Sequence, residues 1–319
     1  MKNGITRFNF FLDQLQTLLT KAGKQKNPGL WLYQNNARTP LFMLEGLAKM
    51  YSGLHNKKKF AKIKEHLKIL EDVLGAIDYY DAFAKEFAGN PKIPQTITGY
   101  LQAQTREKIQ SLNEALKEEE WIGVEKNRII KMKKKLGEMD WQKSSAEIKN
   151  IRNYYIAAIT EIISFTGKTN FRFTNVEADI HELRRKLRWL SIYPQGLRGA
   201  IQLTNTRMKN GHLKTPPKYL EKYLTPEIIN SQFNKMPDAG DNENFLLLEQ
   251  NYFYALSWMI AYLGKLKDSG LRLIAVREAL QQTSAISDAD ALKQASTYFG
   301  ADQLDLQQIL SKANGICKP

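Results

Sequence analysis

Apolar residues recur three and four positions apart along almost the whole chain, the rhythm of amphipathic helices rather than of strands. The rhythm breaks at Gly23–Gly29, Ser52–Asn56, Gly89–Pro94, Gly167–Thr174, Pro194–Gly199, Asn210–Pro217 and Pro237–Asn244. These are the Gly-, Pro- and Asn-rich clusters expected between helices. Long periodic segments lie between them, among them Lys57–Phe87, Gln95–Leu136 and Trp141–Phe165. Phe171-Arg172-Phe173 is the one short stretch of strand-like alternation, and it is too brief to found a sheet. The pattern predicts an all-α fold of long antiparallel helices packed as bundles.

The break at Gly167–Thr174 falls near the midpoint and separates residues 1–166 from residues 167–283. The two halves echo one another. Leu74-Gly75-Ala76-Ile77-Asp78 stands late in a long helix of the first, and Leu263-Gly264-Lys265-Leu266-Lys267-Asp268 late in one of the second. A glycine inside a helix costs about 1 kcal/mol relative to alanine, so each is expected to mark close packing by a neighbouring backbone. Matching sites of this kind suggest a duplication, hence two pseudo-repeated helical bundles. Residues 284–319 carry their own signals. Ser287 followed by Asp290 resembles a capping box, and Gly300 breaks the chain before a last helix over Asp302–Ala313, predicting an appended helical hairpin.

Composition supports a packed interior: 43% of residues are hydrophobic, with 14 Tyr, 14 Phe and 5 Trp, too many for a disordered chain. Charge adds a functional direction. The chain holds 47 Lys and Arg against 33 Asp and Glu, a net charge of +14 with a pI near 9.5. Such a surplus favours phosphate-rich partners, whether nucleic acid, polyphosphate or an anionic membrane surface, although lysines kept for solubility give the same balance. A single cysteine, Cys317, rules out an intrachain disulfide and points to a reducing compartment. After Met1 and Lys2, the segment from Phe8 to Leu19 is interrupted by Asp13, Gln14 and Gln16, which fits an amphipathic helix and not a signal peptide. No apolar run approaches the roughly 20 residues of a membrane span. The expected location is the cytoplasm.

The most informative segment is Val176–Tyr193. On a helix, Val176, Ile180, Leu183, Leu187 and Leu190 form one apolar stripe facing the core, while His181, Arg184, Arg185 and Arg188 gather on another stripe away from it. Like charges on one face repel, and an external anion would relieve the repulsion. Arginine suits this role because its planar fork donates two hydrogen bonds to a phosphate. Protonation of His181 would add charge as pH falls. The alternative is a solvated face neutralised by Asp179 and Glu182, but helical geometry aims those acids to a different side.

The run His181-Glu182-Leu183-Arg184-Arg185-Lys186-Leu187-Arg188-Trp189-Leu190 resembles the signature helix of the CHAD family, the conserved histidine α-helical domain. The Leu-Gly segments with their acids, Asp81 and Asp268, resemble that family's second motif. The resemblance spans roughly Trp31 to Leu271. It implies a duplicated all-helical fold whose two signature helices line a basic cavity that binds inorganic polyphosphate. In the first half the matching stretch is Tyr33-Gln34-Asn35-Asn36-Ala37-Arg38-Thr39-Pro40-Leu41-Phe42. Here Arg38 keeps the arginine, Asn35 stands at the histidine position, and Phe42 and Glu45 replace later basic residues. Pro40 implies a helix start or kink nearby. In the second half Trp189 and Ser191 stand where cations are expected.

Other basic segments add a diffuse positive field. Lys126-Asn127-Arg128-Ile129-Ile130-Lys131-Met132-Lys133-Lys134-Lys135 has Trp121, Ile129, Met132 and Leu136 as its apolar stripe. Lys57–Lys59 with Lys62, Lys64 and Lys68 form a second positive helix, each read as a solvated face. Catalytic signatures are missing. His55, His66 and His212 are scattered, with no metal-ligand spacing. Gly167-Lys168-Thr169 mimics the end of a P-loop but has Ile163 where the upstream glycine belongs. Asp78, Asp81 and Asp268 are expected to pair with arginines rather than hold a metal. The strand-borne Glu-x-Glu-x-Lys pattern of the polyphosphate-processing domain often fused to CHAD modules does not occur.

The expected function is therefore non-enzymatic binding of inorganic polyphosphate or a related phosphate polyanion, with neither metal nor cofactor. The candidate residues are His181, Arg184, Arg185 and Arg188, joined by Arg38 and Arg152. A protein-interaction scaffold with a decayed phosphate site, or nonspecific nucleic-acid binding, are the alternatives.

Overall fold

Short polar side chains set several helix starts. In the computed structural model, which describes residues 3–123, 128–168, 170–205, 208–209, 212–213, 217–240, 242–299 and 304–317, α1 spans Asn3–Ala22 and α2 Pro28–Gln34. Asn27 caps α2 by accepting from the Leu30 backbone N–H at 3.1 Å. Asn36 then turns the chain with φ of 57°, a conformation asparagine tolerates, and α3 (Arg38–Leu54) begins with Pro40 in its first turn. Asn56 caps α4 (Lys57–Ala88) through the Lys59 N–H at 3.0 Å. α5 (Gln95–Glu118), α6 (Arg128–Gly137) and α7 (Ser144–Lys168) follow. Met1, Lys2, Lys126, Asn127, Thr169, Asn210, Gly300 and Asp302, singled out above, lie outside the described residues, as do the side chains of His212 and Cys317.

The second half opens differently from the plain helix expected. Val176–His181 forms a wider π turn, started by Asn175 accepting from the Glu177 and Ala178 N–H groups at 2.8 Å, and runs directly into α8 (Glu182–Gly196). The stretch after α8 also departs from the helical expectation. β1 (Ile201–Thr204) pairs in parallel with β4 (Leu246–Glu249), in the register Ile201 to Leu246 through Thr204 to Glu249. Between them lie the antiparallel pair β2 (Met208–Lys209) and β3 (His212–Leu213), 3-10 turns and the four-residue α9 (Pro226–Ile229). Phe171–Phe173, the one alternation noted in the sequence, forms no strand. The chain then enters α10 (Gln250–Thr283), α11 (Asp288–Thr297) and α12 (Leu306–Cys317). Ser287 caps α11 by accepting from the Asp290 N–H at 3.2 Å, and its hydroxyl donates back to the Asp290 carboxylate at 2.6 Å. The all-α class holds, with the short strands as additions.

Packing crosses the midpoint. The largest core joins α1, α3, α4, α6 and α7, and Trp189, Leu190 and Tyr193 of α8 are buried in it. A second core sets Phe83, Phe87, Ile97 and Leu101 of α4 and α5 against Val276 and Ala279 of α10 and Ala291 and Ala295 of α11. In a third, Ile309, Leu310 and Ala313 of α12 pack on Val176, Ile180 and Leu183. The last two helices are thus part of the interior, and α12 braces the π turn. The largest core also encloses a charge. Arg7, 3% exposed, donates to Glu147 at 2.8 Å and to the Tyr51 hydroxyl at 2.9 Å, tying α1, α3 and α7. Tyr51 completes the triangle by donating to Glu147 at 2.5 Å. No helix among the described residues is long and apolar enough to cross a membrane.

Candidate anion-binding cleft

The faces of α3, α4, α8 and α10 that are not packed together enclose a cleft of about 1050 Å³. Five of the six predicted residues line it: His181, Arg184, Arg185 and Arg188 from one wall and Arg38 from the other. Arg152 does not. It stands exposed on α7, outside the lining, because its neighbour Ile151 is the residue of that turn that enters the core.

The two mid-helix glycines serve the site. A Cβ at Gly264 would lie 3.0 Å from Arg184 Nε, and a Cβ at Gly75 would lie 3.0 Å from Arg38 Nη2. The partner in each case is a guanidinium and not the neighbouring backbone expected from the sequence. Each arginine crosses a helix where there is no side chain to block it. The acids downstream differ in use. Arg38 is held by Glu71 at 3.1 Å and Asp78 at 2.8 Å. Arg184 donates instead to the Ile260 carbonyl at 3.2 Å, with Asp268 acting on it only through its charge. Asp268 pairs with Lys267 at 2.9 Å, and Asp81 accepts from Tyr33 at 2.7 Å.

Phe42 stands where the resemblance implies a cation. The structure gives it a different part: the guanidinium groups of Arg188 and Arg38 lie 4.6 and 5.0 Å from its ring centroid. An aromatic face attracts a cation even where no carboxylate is near. Arg188 needs such help. Its buried Nε has no hydrogen-bond partner. Burial, then the like charge of Arg184, push its pKa down to about 10. It keeps its charge at neutral pH with no carboxylate among the described residues within ion-pair distance, favoured by the Phe42 ring and the more distant charges of Glu71 and Glu45.

The outer part of the α8 face is neutralised locally, contrary to the geometric expectation. Glu182 pairs with Arg185 at 2.7 Å, and His181 Nδ1 meets Glu177 at 2.7 Å, a hydrogen bond that lowers the Glu177 pKa. Both pairs have ordinary helix-neighbour spacing, i,i+3 for Glu182 with Arg185 and i,i+4 for Glu177 with His181, so each acid reaches its base along the helix surface. Asp179 is occupied elsewhere, accepting from the Thr174 and Asn175 N–H groups at 2.7 and 2.9 Å.

Some lining residues were not singled out as a site in the sequence. Lys64 and Lys68, assigned above to a solvated face, line the cleft from α4. Lys49 of α3 does so with its ammonium 5.0 Å from the Trp189 ring centroid. Burial and neighbouring Lys64 lower its pKa to about 8. The signal for Lys49 was a cation alone in the apolar run Gly46-Leu47-Ala48-Lys49-Met50-Tyr51. Glu45, one turn earlier, is raised by burial and by Glu71.

The lining holds nine Lys and Arg against seven Asp and Glu, so the cleft is not uniformly basic. What matters is pairing. Among the described residues, Arg184, Arg188, Lys49 and Lys64 have no carboxylate within ion-pair distance, although all four face the cleft. No group of His, Cys, Asp or Glu among the described residues is arranged to hold a metal ion. Comparison with protein-family models, with curated proteins and with solved structures finds no match for this chain.

Proposed function

We propose that this protein is a divergent CHAD-like module that binds inorganic polyphosphate, or a related phosphate polymer, along the cleft without chemical turnover. The observation that carries the reading is the state of Arg184 and Arg188: half-buried, on one wall of the cleft, and without carboxylate partners. A phosphate oxygen offers what both lack, a charge-assisted acceptor matched to a guanidinium fork. Lys49 and Lys64 extend the cationic surface along α3 and α4. The matching contacts of Arg38 on Gly75 and Arg184 on Gly264 support the proposed duplication. Affinity from phosphate contacts falls with salt as counterions are released.

The test is binding of long-chain polyphosphate at low and moderate salt, with RNA as competitor. Wild type should bind in a salt-dependent manner and resist RNA. Arg184→Glu/Arg188→Glu should lose binding, and Arg152→Glu, outside the cleft, should not. Equal binding by the double variant would overturn the reading.

A second reading, a protein-interaction scaffold, is favoured by one surface. Ile156, Ile159 and Ile163 of α7 fall on a single stripe and are 53%, 45% and 61% exposed. Absence of polyphosphate binding at low salt would leave this reading in its place.

A further inference from the structure

We propose that Lys49 is a covalent capture site for phosphate-bearing aldehydes, its side-chain amine condensing with the carbonyl carbon while the neighbouring arginines hold the phosphate. The proposal rests on the cleft reading above and adds a reaction to it.

Three features converge on this residue. Lys49 lines the cleft, half-buried against the face of Trp189, and no carboxylate among the described residues pairs with it. The charges that act on it most are mainly like charges, Lys64 from α4 and Arg185 and Lys186 from α8, opposed by Glu161 of α7. Glu161 is itself taken by Lys186 at 2.5 Å. Cations and partial burial together disfavour the ammonium form. A pKa of about 8 against an ordinary value near 10.4 means roughly two hundredfold more neutral amine at neutral pH than an exposed lysine offers. The same cations that raise the neutral fraction of the amine attract an anionic ligand.

The step balances within these groups and water. The neutral amine attacks the aldehyde carbon, a C–N bond forms, and the carbonyl π electrons move to oxygen. A proton passes from nitrogen to that oxygen, giving a carbinolamine. The hydroxyl then leaves with a proton from solvent as water, and the product is a protonated imine. No oxidant or reductant is consumed, and the bond is reversible by hydrolysis.

The experiment uses the full chain and pyridoxal 5′-phosphate at sub-stoichiometric amounts, trapped with borohydride and mapped by peptide mass spectrometry. Lys49 should be modified at least about tenfold faster than the exposed lysines. Pyridoxal without its phosphate should be slower, inorganic tripolyphosphate should protect, and Lys49→Arg should abolish the site while keeping the charge. Labelling spread evenly over the lysines, with polyphosphate binding intact, would overturn this inference alone. Lys49 labelling indifferent to both the phosphate and tripolyphosphate would overturn the phosphate requirement and count against the cleft reading too.

Discussion

Arg38 and Arg188, from opposite halves of the chain, lie over the same ring: their guanidinium carbons stand 5.0 and 4.6 Å from the centroid of Phe42. Two like charges are thus brought to one aromatic plate, whose negative face attracts both. The arrangement couples the two walls of the cleft through a single side chain.

Phe42→Leu should therefore act on both walls. It keeps most of the volume and removes the π face, so stability should fall by about 1 kcal/mol. Polyphosphate affinity should drop as the two guanidinium groups lose their common support. Denaturant unfolding and binding measured on the same preparation check both effects.

Gly264→Ala separates the site from the fold. The added methyl would come within 3.0 Å of Arg184 Nε and displace that side chain. Helix propensity favours alanine by about 1 kcal/mol, which offsets the crowding. Affinity should fall about tenfold, the worth of one charge-assisted hydrogen bond, with stability nearly unchanged. Gly99→Ala is the control, since a Cβ there meets nothing within 4 Å. It should stabilise without touching binding.

The lysine on Trp189 makes a pH prediction with a definite sign. Its pKa is lowered to about 8, so between that pH and about 10.4 the unfolded chain binds more protons than the folded one. Stability contributed by this residue therefore rises with pH across that window, and below it the buried ammonium is destabilising. Lys49→Met should raise stability near neutral pH by on the order of 1 kcal/mol once solvent screening in the open cleft is allowed for. The gain should vanish above about pH 10. Urea unfolding at neutral and alkaline pH measures it.

Glu147 carries the opposite kind of burden. With the side chains of Arg7 and Glu147 both buried, removing one partner leaves a buried charge alone. Glu147→Ala should cost about 3–5 kcal/mol. A combined Arg7→Met/Glu147→Leu variant should recover much of that loss, because no charge then stays unpaired. Thermal or denaturant unfolding of the three chains decides it.

Much of this fold was visible in the order of its side chains. Asn56 and the apolar rhythm from Phe60 to Phe87 placed α4 almost to the residue. Trp121 misled, because it continued the apolar beat and made α5 and α6 look like one helix, while the chain turns there with Glu120 at φ of 60°. The four-residue β1 and β4 are not legible in the sequence. Ile-Gln-Leu-Thr and Leu-Leu-Leu-Glu are too short to show a period, and their pairing is long-range. At the site, positions were easier to read than relationships. Arg184, Arg188 and both glycines stand out in the sequence, but only the fold shows that the guanidinium groups of Arg38 and Arg184 fill the space the glycines leave. Phe42 looked like a lost cation because a substitution read alone hides the ring's second use.

The parallel pairing of β1 with β4 has a consequence for how this molecule could be re-engineered. Ile201 and Leu246 are in register, so the excursion between the two strands starts and ends at adjacent points, and its described residues pack back on α10 through Tyr223 against Trp258 and through Asn234, which accepts from Ser257. Doubling the length of a closed loop adds only about 0.6 kcal/mol of entropy cost. A reporter spliced at the exposed Glu227 would leave those anchors in place, whereas one spliced beside the buried Asn234 would pull on Ser257 and so be felt in α10, a wall of the cleft.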